Sequence, residues 1–376
     1  MKPKFGFIRA RLQDIKKADL YRRLVLNRVA GPYIIVGKKR LVNLSSNDYL
    51  GLGATKVSQA QLQSSSRLVA GNDEVFSRLE SKLARHKYQQ AALVFPTGYM
   101  ANLGIISILP QKGDLILSDE LNHASIIDSC KLSHARKMIY KHNDMSDLEN
   151  KLAKKNKRKF VITEGIFSMN GDFSKLKDIT KLCMQHNAIL ILDDAHGDFV
   201  AGPDGRGTGA RLGVAKKIDV YISSLSKGLG AFGGYVASRN EVIDLAVNTS
   251  RPFIYTSALP NFLVQAALDK LSSRREQKRK KLWKNIELAR KGLKSCGYNI
   301  DSQSQIIPII IGNEKKAVEF GRYLFANGIY AQPIRYPTVE HGSARIRLSI
   351  TAWLSSYDII RSIDVFGRAG KKFGIT

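Results

Sequence analysis

Lys227 sits in the stretch DVYISSLSKGLGAFGGY (219–235), directly behind an apolar run and ahead of a glycine-rich one, an unusual setting for a surface lysine. Val220, Tyr221 and Ile222 favour a strand, and Gly228, Gly230, Gly233 and Gly234 leave the chain beyond nearly free of side chains. The amine is therefore expected at a strand end, in an uncrowded pocket. About one strand and crossover earlier, NAILILDDAHGD (187–198) reads as a fully buried parallel strand ending in Asp193, Asp194 and His196. Open α/β sheets build their sites at such strand ends. An amine nucleophile, an acid and an imidazole on neighbouring strand ends suit a carbonyl cofactor held as a Schiff base, which pyridoxal phosphate supplies. Taken singly, Lys227 could be a solvated lysine, and Asp193, Asp194 and His196 could be metal ligands or a helix cap. Neither alternative accounts for both segments together. Residues 228–233 also match the dinucleotide pattern G-x-G-x-x-G, but a lysine precedes them, Gly-Tyr-Val-Ala follows, and no acidic residue ends a second strand about twenty residues on.

The elements needed to position these groups are legible in outline. Apolar runs at 92–95, 115–117, 159–163, 189–192, 220–223 and 235–237, most of them separated by helical stretches, predict a mainly parallel sheet with helices on both faces. Asn72 or Asp73 caps a helix that turns Val75, Phe76, Leu79 and Leu83 to one side and ends near His86. Residues 8–28 read as an amphipathic arm helix with Ile8, Leu12, Ile15, Leu20 and Leu24 on one stripe. Beyond about residue 245 a long helical region leads to strands at 306–311 and 345–350. The expected organisation is an arm and lead-in (1–45), a large cofactor-binding domain (46–245) and a smaller C-terminal α+β domain (246–376), with no internal repeat.

With 376 residues and 44% hydrophobic content, the chain can bury one large core and a smaller one. No apolar run approaches a membrane span, and the basic N-terminus lacks the apolar stretch of a signal peptide, so a cytoplasmic protein is expected. Cys130, Cys183 and Cys296 form no C-x-x-C pair and fit free thiols in a reducing compartment. The net charge of +28 raises the question of nucleic acid. Its two densest runs, 151–160 and 274–285, lack aromatic interleaving in one case and carry helical apolar positions in the other, and both read as solvated faces. A basic surface would still attract acidic partners such as coenzyme A or an acyl carrier protein.

Taken in order along the chain, LSSNDYLGLG (44–53), SRLVAGNDEVFSRLE (66–80), DELNHASIID (119–128), TEGIFSMNGD (163–172), LDDAHG (192–197), SLSKGLG (224–230) and ARIRLSITA (344–352) closely resemble the α-oxoamine synthases. These are fold type I pyridoxal-phosphate enzymes that join an amino acid to an acyl thioester with loss of carbon dioxide. The resemblance implies that Lys227 carries the cofactor as a Schiff base and that Asp193 pairs with its pyridine nitrogen. It implies that His123 stacks on the ring, and that His196 and Ser168 reach the phenolic oxygen. The phosphate would sit where Thr97, Gly98 and Tyr99 open a helix, with Ser224 adding a hydroxyl and Thr256 reaching over from the neighbouring subunit of a homodimer. Arg347 resembles the arginine for the substrate carboxylate, with Arg345 and Arg335 as further candidates. Asn47 and Glu164 are expected to line the acyl side.

Within the family, segments 45–52 and 334–348 point to members that condense alanine with a pimeloyl thioester, ahead of those that use glycine and an acetyl group. A long dicarboxylic acyl chain would need an apolar tunnel ending in a cation, for which Arg22 or Arg23 is available. The sequence departs from the family in two places. Segment 53–67 is short and lacks the usual glycine-rich turn, and Asp198 stands where a small or hydroxylated residue is usual.

Overall fold

The structure is a computed structural model that describes residues 6–54 and 65–376. The short segment 53–67 therefore falls largely outside the described residues. The chain divides into two compact units: residues 47–168 with 172–280, and residues 1–46 with 169–171 and 281–376.

In the smaller unit the chain starts with α1 (Gly6–Lys17). The arm helix is thus shorter than the stripe of apolar residues predicts. It ends in a left-handed residue, Asp19 at φ 57°, where the Leu20 amide closes back on the Ile15 carbonyl and Lys16 and Lys17 face the negative end of the helix. Beyond that turn Leu24 is fully exposed, so the stripe had no core to join. Three strands not anticipated from the sequence follow, β1 (Arg28–Ala30), β2 (Tyr33–Val36) and β3 (Lys39–Asn43), paired antiparallel through turns at Gly31 and Gly37.

The larger unit is built on a seven-stranded sheet. Its strands are β4 (Ala91–Phe95), β5 (Leu115–Asp119), β6 (Arg136–Tyr140), β7 (Lys159–Glu164), β8 (Ile189–Asp193), β9 (Val220–Ser224) and β10 (Gly234–Ser238), in the order β4-β10-β9-β8-β7-β5-β6. Strands β9 to β6 run parallel; β10 alone runs against both its neighbours. The link 225–233 is too short for the crossover of a dozen or more residues that a parallel pair needs, so β9 returns directly as β10. Strand β6 was missed in the sequence because, as an edge strand, it keeps Arg136, Lys137 and Ile139 exposed and shows no buried run.

One face of the sheet presents Phe95, Ile116, Phe160, Ile162, Ile191, Ile222 and Val236, packed with Ala101, Ile105 and Ile106 into a single apolar core. These last three belong to α3 (Gly98–Ile106), which follows α2 (Glu74–His86) in the chain. Asp73 caps α2 by accepting from the Val75 amide, and Val75, Phe76, Leu79 and Leu83 are buried, as their spacing predicts. Each such aliphatic or aromatic side chain contributes roughly 1.5–3 kcal/mol on burial, so the core fixes which strand ends stand side by side.

The smaller unit resumes after residue 280 and adds β11 (Ile306–Gly312), β12 (Ile329–Tyr330), β13 (Pro333–Ile334) and β14 (Ala344–Ser349). Strands β11, β14 and β13 form an antiparallel sheet, and β12 joins β3 in parallel.

Candidate active site

Because β10 runs opposite to β4 and β9, the carboxyl ends of β4, β9, β8, β7 and β5 all emerge on one side of the sheet. Between them lies a cavity of about 220 Å³. Its wall includes Lys227 from the turn after β9, Asp193 from the end of β8, Glu164 from the end of β7, His123, and Gly98 with Tyr99 at the start of α3.

Lys227 Nζ lies 2.9 Å from His196 Nε2, whose Nδ1 lies 2.7 Å from the hydroxyl of the fully buried Tyr49. Tyr49 in turn donates to Asn47 Oδ1 at 3.1 Å. The resemblance placed Asn47 on the acyl side; within this unit a polar chain through Tyr49 and His196 links it to the lysine. A proton on either ring nitrogen of His196 is thus fixed by what its two neighbours offer.

Asp193 is buried, and each oxygen is held: Oδ1 accepts from the Ala195 amide at 3.0 Å and Oδ2 from Asn102 Nδ2 at 2.7 Å. Asn102 Nδ2 also donates to Ser125 Oγ at 2.9 Å. Neither Asn102 nor Tyr49 was singled out from the sequence. The signal for Asn102 was a lone amide one helical turn after Gly98 in an otherwise apolar helix.

His123 caps α4 (Ala124–Leu132): its Nδ1 accepts from the Ser125 amide at 3.2 Å, which puts the ring proton on Nε2. Burial lowers the imidazole's pKa, against the pull of Asp193, and keeps the ring neutral. Next to Asp193 in register stands Glu164, fully buried. Burial, then the nearby Asp193 carboxylate, pushes the Glu164 carboxyl well above the ordinary carboxylate range.

At the other end of the cavity Thr97 caps α3, accepting from the Met100 amide at 3.1 Å. The first-turn amides of Gly98 and Tyr99 are those a helix leaves without an intrahelical partner, and with the helix dipole they form an anion site. The backbone is close here: a Cβ on Gly234 would come within 2.4 Å of the Gly98 nitrogen. Ser224 Oγ lies 2.8 Å from Ser226 Oγ beside them.

Three further buried polar atoms on residues of this wall, Asn102 Oδ1, Glu164 Oε1 and Ser223 Oγ, have no hydrogen-bond partner among the described residues. Such atoms are costly unless something polar meets them. A primary amine, an anchored carboxylate, a neutral imidazole and a helix N-terminus around these atoms match the carbonyl, ring nitrogen, ring face and phosphate of pyridoxal phosphate. The residues present fit that group.

The other expected residues have the following surroundings. Ser168 follows β7 in the loop 165–174 and is not among the residues of the cavity wall. Thr256 lines a separate, much smaller cavity with Arg67 and Phe253. Arg347 is buried on β14 and donates to Ser349 Oγ at 2.8 Å, while Arg345 donates to Asn170 Oδ1 at 2.5 Å; both arginines belong to the smaller unit. There too, Arg22 reaches the Tyr336 carbonyl at 3.4 Å, Arg335 donates to the Asp19 carbonyl, and Arg23 lies 5.7 Å over the Tyr21 ring.

His142, which follows β6, ties two site loops together. Its Nδ1 is 2.8 Å from Asp119 Oδ1, at the start of the turn that carries His123, and its Nε2 is 2.7 Å from Asp172 Oδ2, in the loop that carries Ser168. Only the imidazolium can donate to both carboxylates. Although burial opposes it, the bonds to Asp119 and Asp172 raise the pKa to about 9. A folded pKa above the unfolded value of about 6.5 means that this contribution is fully present below pH 6.5 and lost as pH rises through about 9. Urea unfolding of wild type and His142→Gln from pH 6 to 10 checks this: the stability gap should close across that window. A gap of constant size would contradict it.

The sequence profile of the aminotransferase class I and II family matches residues 39–365. Over 98% of both chains, the protein is 42% identical to 8-amino-7-oxononanoate synthase of Thermoanaerobacter pseudethanolicus and 38% identical to that of Treponema denticola. Among solved structures, serine palmitoyltransferase from S. paucimobilis, with a bound PLP–myriocin aldimine, superposes with a TM-score of 0.92 at 27% identity over 99% of each chain. For 8-amino-7-oxononanoate synthase from Francisella tularensis the values are 0.75 and 27%, over 88% of this chain and 98% of that one.

Proposed function

The chain belongs to the aminotransferase class I and II family and, within it, to the α-oxoamine synthases, and from that premise we propose that it condenses L-alanine with a pimeloyl thioester. The products are 8-amino-7-oxononanoate, carbon dioxide and the free thiol, a step of biotin biosynthesis, with pyridoxal phosphate as cofactor. The observation that carries the reading is Lys227 Nζ in hydrogen-bond reach of His196, in the same cavity as the anchored Asp193. Relatives of two specificities support it unequally. The TM-score of the serine palmitoyltransferase reports shape, which the whole family shares, whereas the 8-amino-7-oxononanoate synthase is the more similar in sequence, at 42% identity over 98% of both chains against 27%.

Pyridoxal phosphate, when bound, supplies a carbonyl that takes up an amino group and a ring that withdraws electrons from the bonds to the substrate Cα. The protein groups divide the work. The carboxylate of Asp193, with both oxygens fixed, would hold a proton on the pyridine nitrogen. The neutral ring of His123 would cover one face, and the α3 N-terminus with Ser224 would hold the phosphate. His196 and Ser168 would share the phenolic oxygen. Lys227 Nζ, displaced by the incoming alanine, would take the proton from Cα and return one after carbon dioxide leaves. His196, bonded to both Lys227 and Tyr49, orients that amine. Arg347 would pair with the alanine carboxylate, with Arg345 and Arg335 nearby in sequence, and Asn47, Glu164 and Arg22 are proposed for the acyl substrate. A homodimer with shared sites, Thr256 reaching over from the neighbouring subunit, completes the proposal.

Protein loaded with pyridoxal phosphate, mixed with alanine, glycine or serine and with pimeloyl, acetyl or palmitoyl thioesters of coenzyme A or acyl carrier protein, should give 8-amino-7-oxononanoate by mass as the dominant product. Turnover confined to glycine and the acetyl donor would instead make it a glycine C-acetyltransferase.

A further inference from the structure

The turn that presents Asp193 and His196 is fastened from behind by groups that the reaction does not use. Asp194 and Asp198 bracket it, and both carboxylates close on one ammonium. Lys87 Nζ lies 3.1 Å from Asp194 Oδ2 and 2.7 Å from Asp198 Oδ1, and all three side chains are wholly shielded from solvent. Its remaining proton meets the Arg206 carbonyl at 3.0 Å, so all three donors of the ammonium have acceptors. Lys87 is the C-cap of α2, which fixes the anchor to a packed helix.

Each carboxylate is held from other sides as well. Asp194 accepts from the amide and the hydroxyl of Thr208, and glycine backbone surrounds it: a Cβ on Gly207 would stand 1.8 Å from its Oδ2, and one on Gly197 2.3 Å from its Oδ1. Asp198 accepts from His86 Nε2 at 2.9 Å, from the Tyr235 hydroxyl at 2.5 Å and from the Phe199 amide at 3.1 Å. Between them the Gly197 and Asp198 amides both close on the Asp194 carbonyl, at 2.9 and 2.7 Å.

Stability does not account for such a cluster. Buried ions cost several kcal/mol each, and apolar residues of similar volume often stabilise as well or better. What a fully bonded ion cluster adds is a single arrangement. One cation faces two carboxylates here: burial, together with Asp198, pushes Asp194 up to about 6, while Lys87 and His86 outweigh burial and hold Asp198 well below the usual carboxylate range.

Resting on the function proposed above, we propose that Lys87 is a positioning residue: through Asp194 and Asp198 it sets the direction in which Asp193 and His196 leave β8, and so the 2.9 Å contact of His196 with Lys227.

Two variants test this by reconstitution of the apoprotein with pyridoxal phosphate. Asp198→Asn keeps Lys87 paired with Asp194 and Arg206 and releases one end of the turn; Lys87→Gln/Asp198→Asn also removes the buried cation together with the charge it matched. Three quantities are read: the apparent Kd for the cofactor, the pH midpoint of its visible absorbance, and the melting temperature. Asp198→Asn is expected to weaken cofactor binding roughly tenfold, the scale of one displaced hydrogen bond, and to move the midpoint. The double variant, which leaves Asp194 buried without a cation, should lower the melting temperature further and leave the other two quantities displaced as well. Wild-type affinity and midpoint in both variants would overturn the proposal, and so would failure of both to fold, since the cluster would then hold the fold and not the turn. Either variant decides where the other does not fold. Absence of a visible band in wild type would sink the functional reading itself, a result distinguishable from unchanged variants.

Discussion

Lys227→Ala is expected to lower turnover by roughly 10⁴-fold or more, since one substitution removes both the proposed covalent attachment point and the proposed base at Cα. The variant should still fold. Lys227 is half-buried in a turn, and the apolar core lies on strands and helices that this side chain does not join. It should also still take up pyridoxal phosphate, because the proposed phosphate contacts at Thr97, Gly98 and Ser224 are untouched. The expected pattern is therefore specific: cofactor retained after gel filtration, no Schiff-base band in the visible, and no phosphopyridoxyl label after borohydride. In wild type the same treatment should place the label on the peptide that contains Lys227. Label on another lysine, or undiminished turnover in the variant, would refute the assignment.

Asp193→Asn tests the electrostatic half of the site. The new side chain can keep the bond from the Ala195 amide, but its NH₂ would then face the Asn102 NH₂, donor against donor. Asn102 can resolve the conflict by turning its amide over. Its Oδ1 has no other hydrogen-bond partner among the described residues, and after the turn it would accept from the substituted side chain while its own NH₂ turns aside. Packing and hydrogen bonding are nearly preserved, and only the negative charge is gone. Without it nothing holds the proton on the pyridine nitrogen, and kcat should fall by roughly 10²- to 10³-fold, comparable to the loss of one preorganised electrostatic group. Melting temperature should stay within a few degrees of wild type. A variant that lost stability and activity in proportion would point to a structural role for Asp193 instead.

Much of the sheet and one end of the site could be read directly because their signals are local. A buried parallel strand needs a continuous apolar run, and β7, β8 and β9 show one; a helix needs a cap and a stripe, and Asp73 with Val75, Phe76, Leu79 and Leu83 provides both. What could not be read are features whose physical reason lies far away in the chain. The charged strand β6 looks like a surface loop until β5 pairs with it. The apolar stripe of the arm continues past Asp19, yet nothing in the sequence tells that no core awaits Leu24. Tyr49 gains its role from His196, 147 positions later, and Lys87 from Asp194, 107 positions later. A lysine at the end of a helix reads as a solvated charge favourable to the helix dipole, and only tertiary packing makes it a buried cation.

The amino-acid sequence by itself determined the chemistry: an amine, two imidazoles and a carboxylate on segments whose apolar runs had to become adjacent strands. Which groups stand within reach of one another was decided by the tertiary structure alone. Strand order brings the ends of β8 and β9 together, β10 folds back so that Gly234 packs against Gly98, and buried partners fix each side chain's direction. The physical reason is range. Hydrophobic periodicity and capping act over a few residues and are written locally, whereas a hydrogen bond or ion pair of about 3 Å between distant segments exists only once the core has set the backbone that carries both.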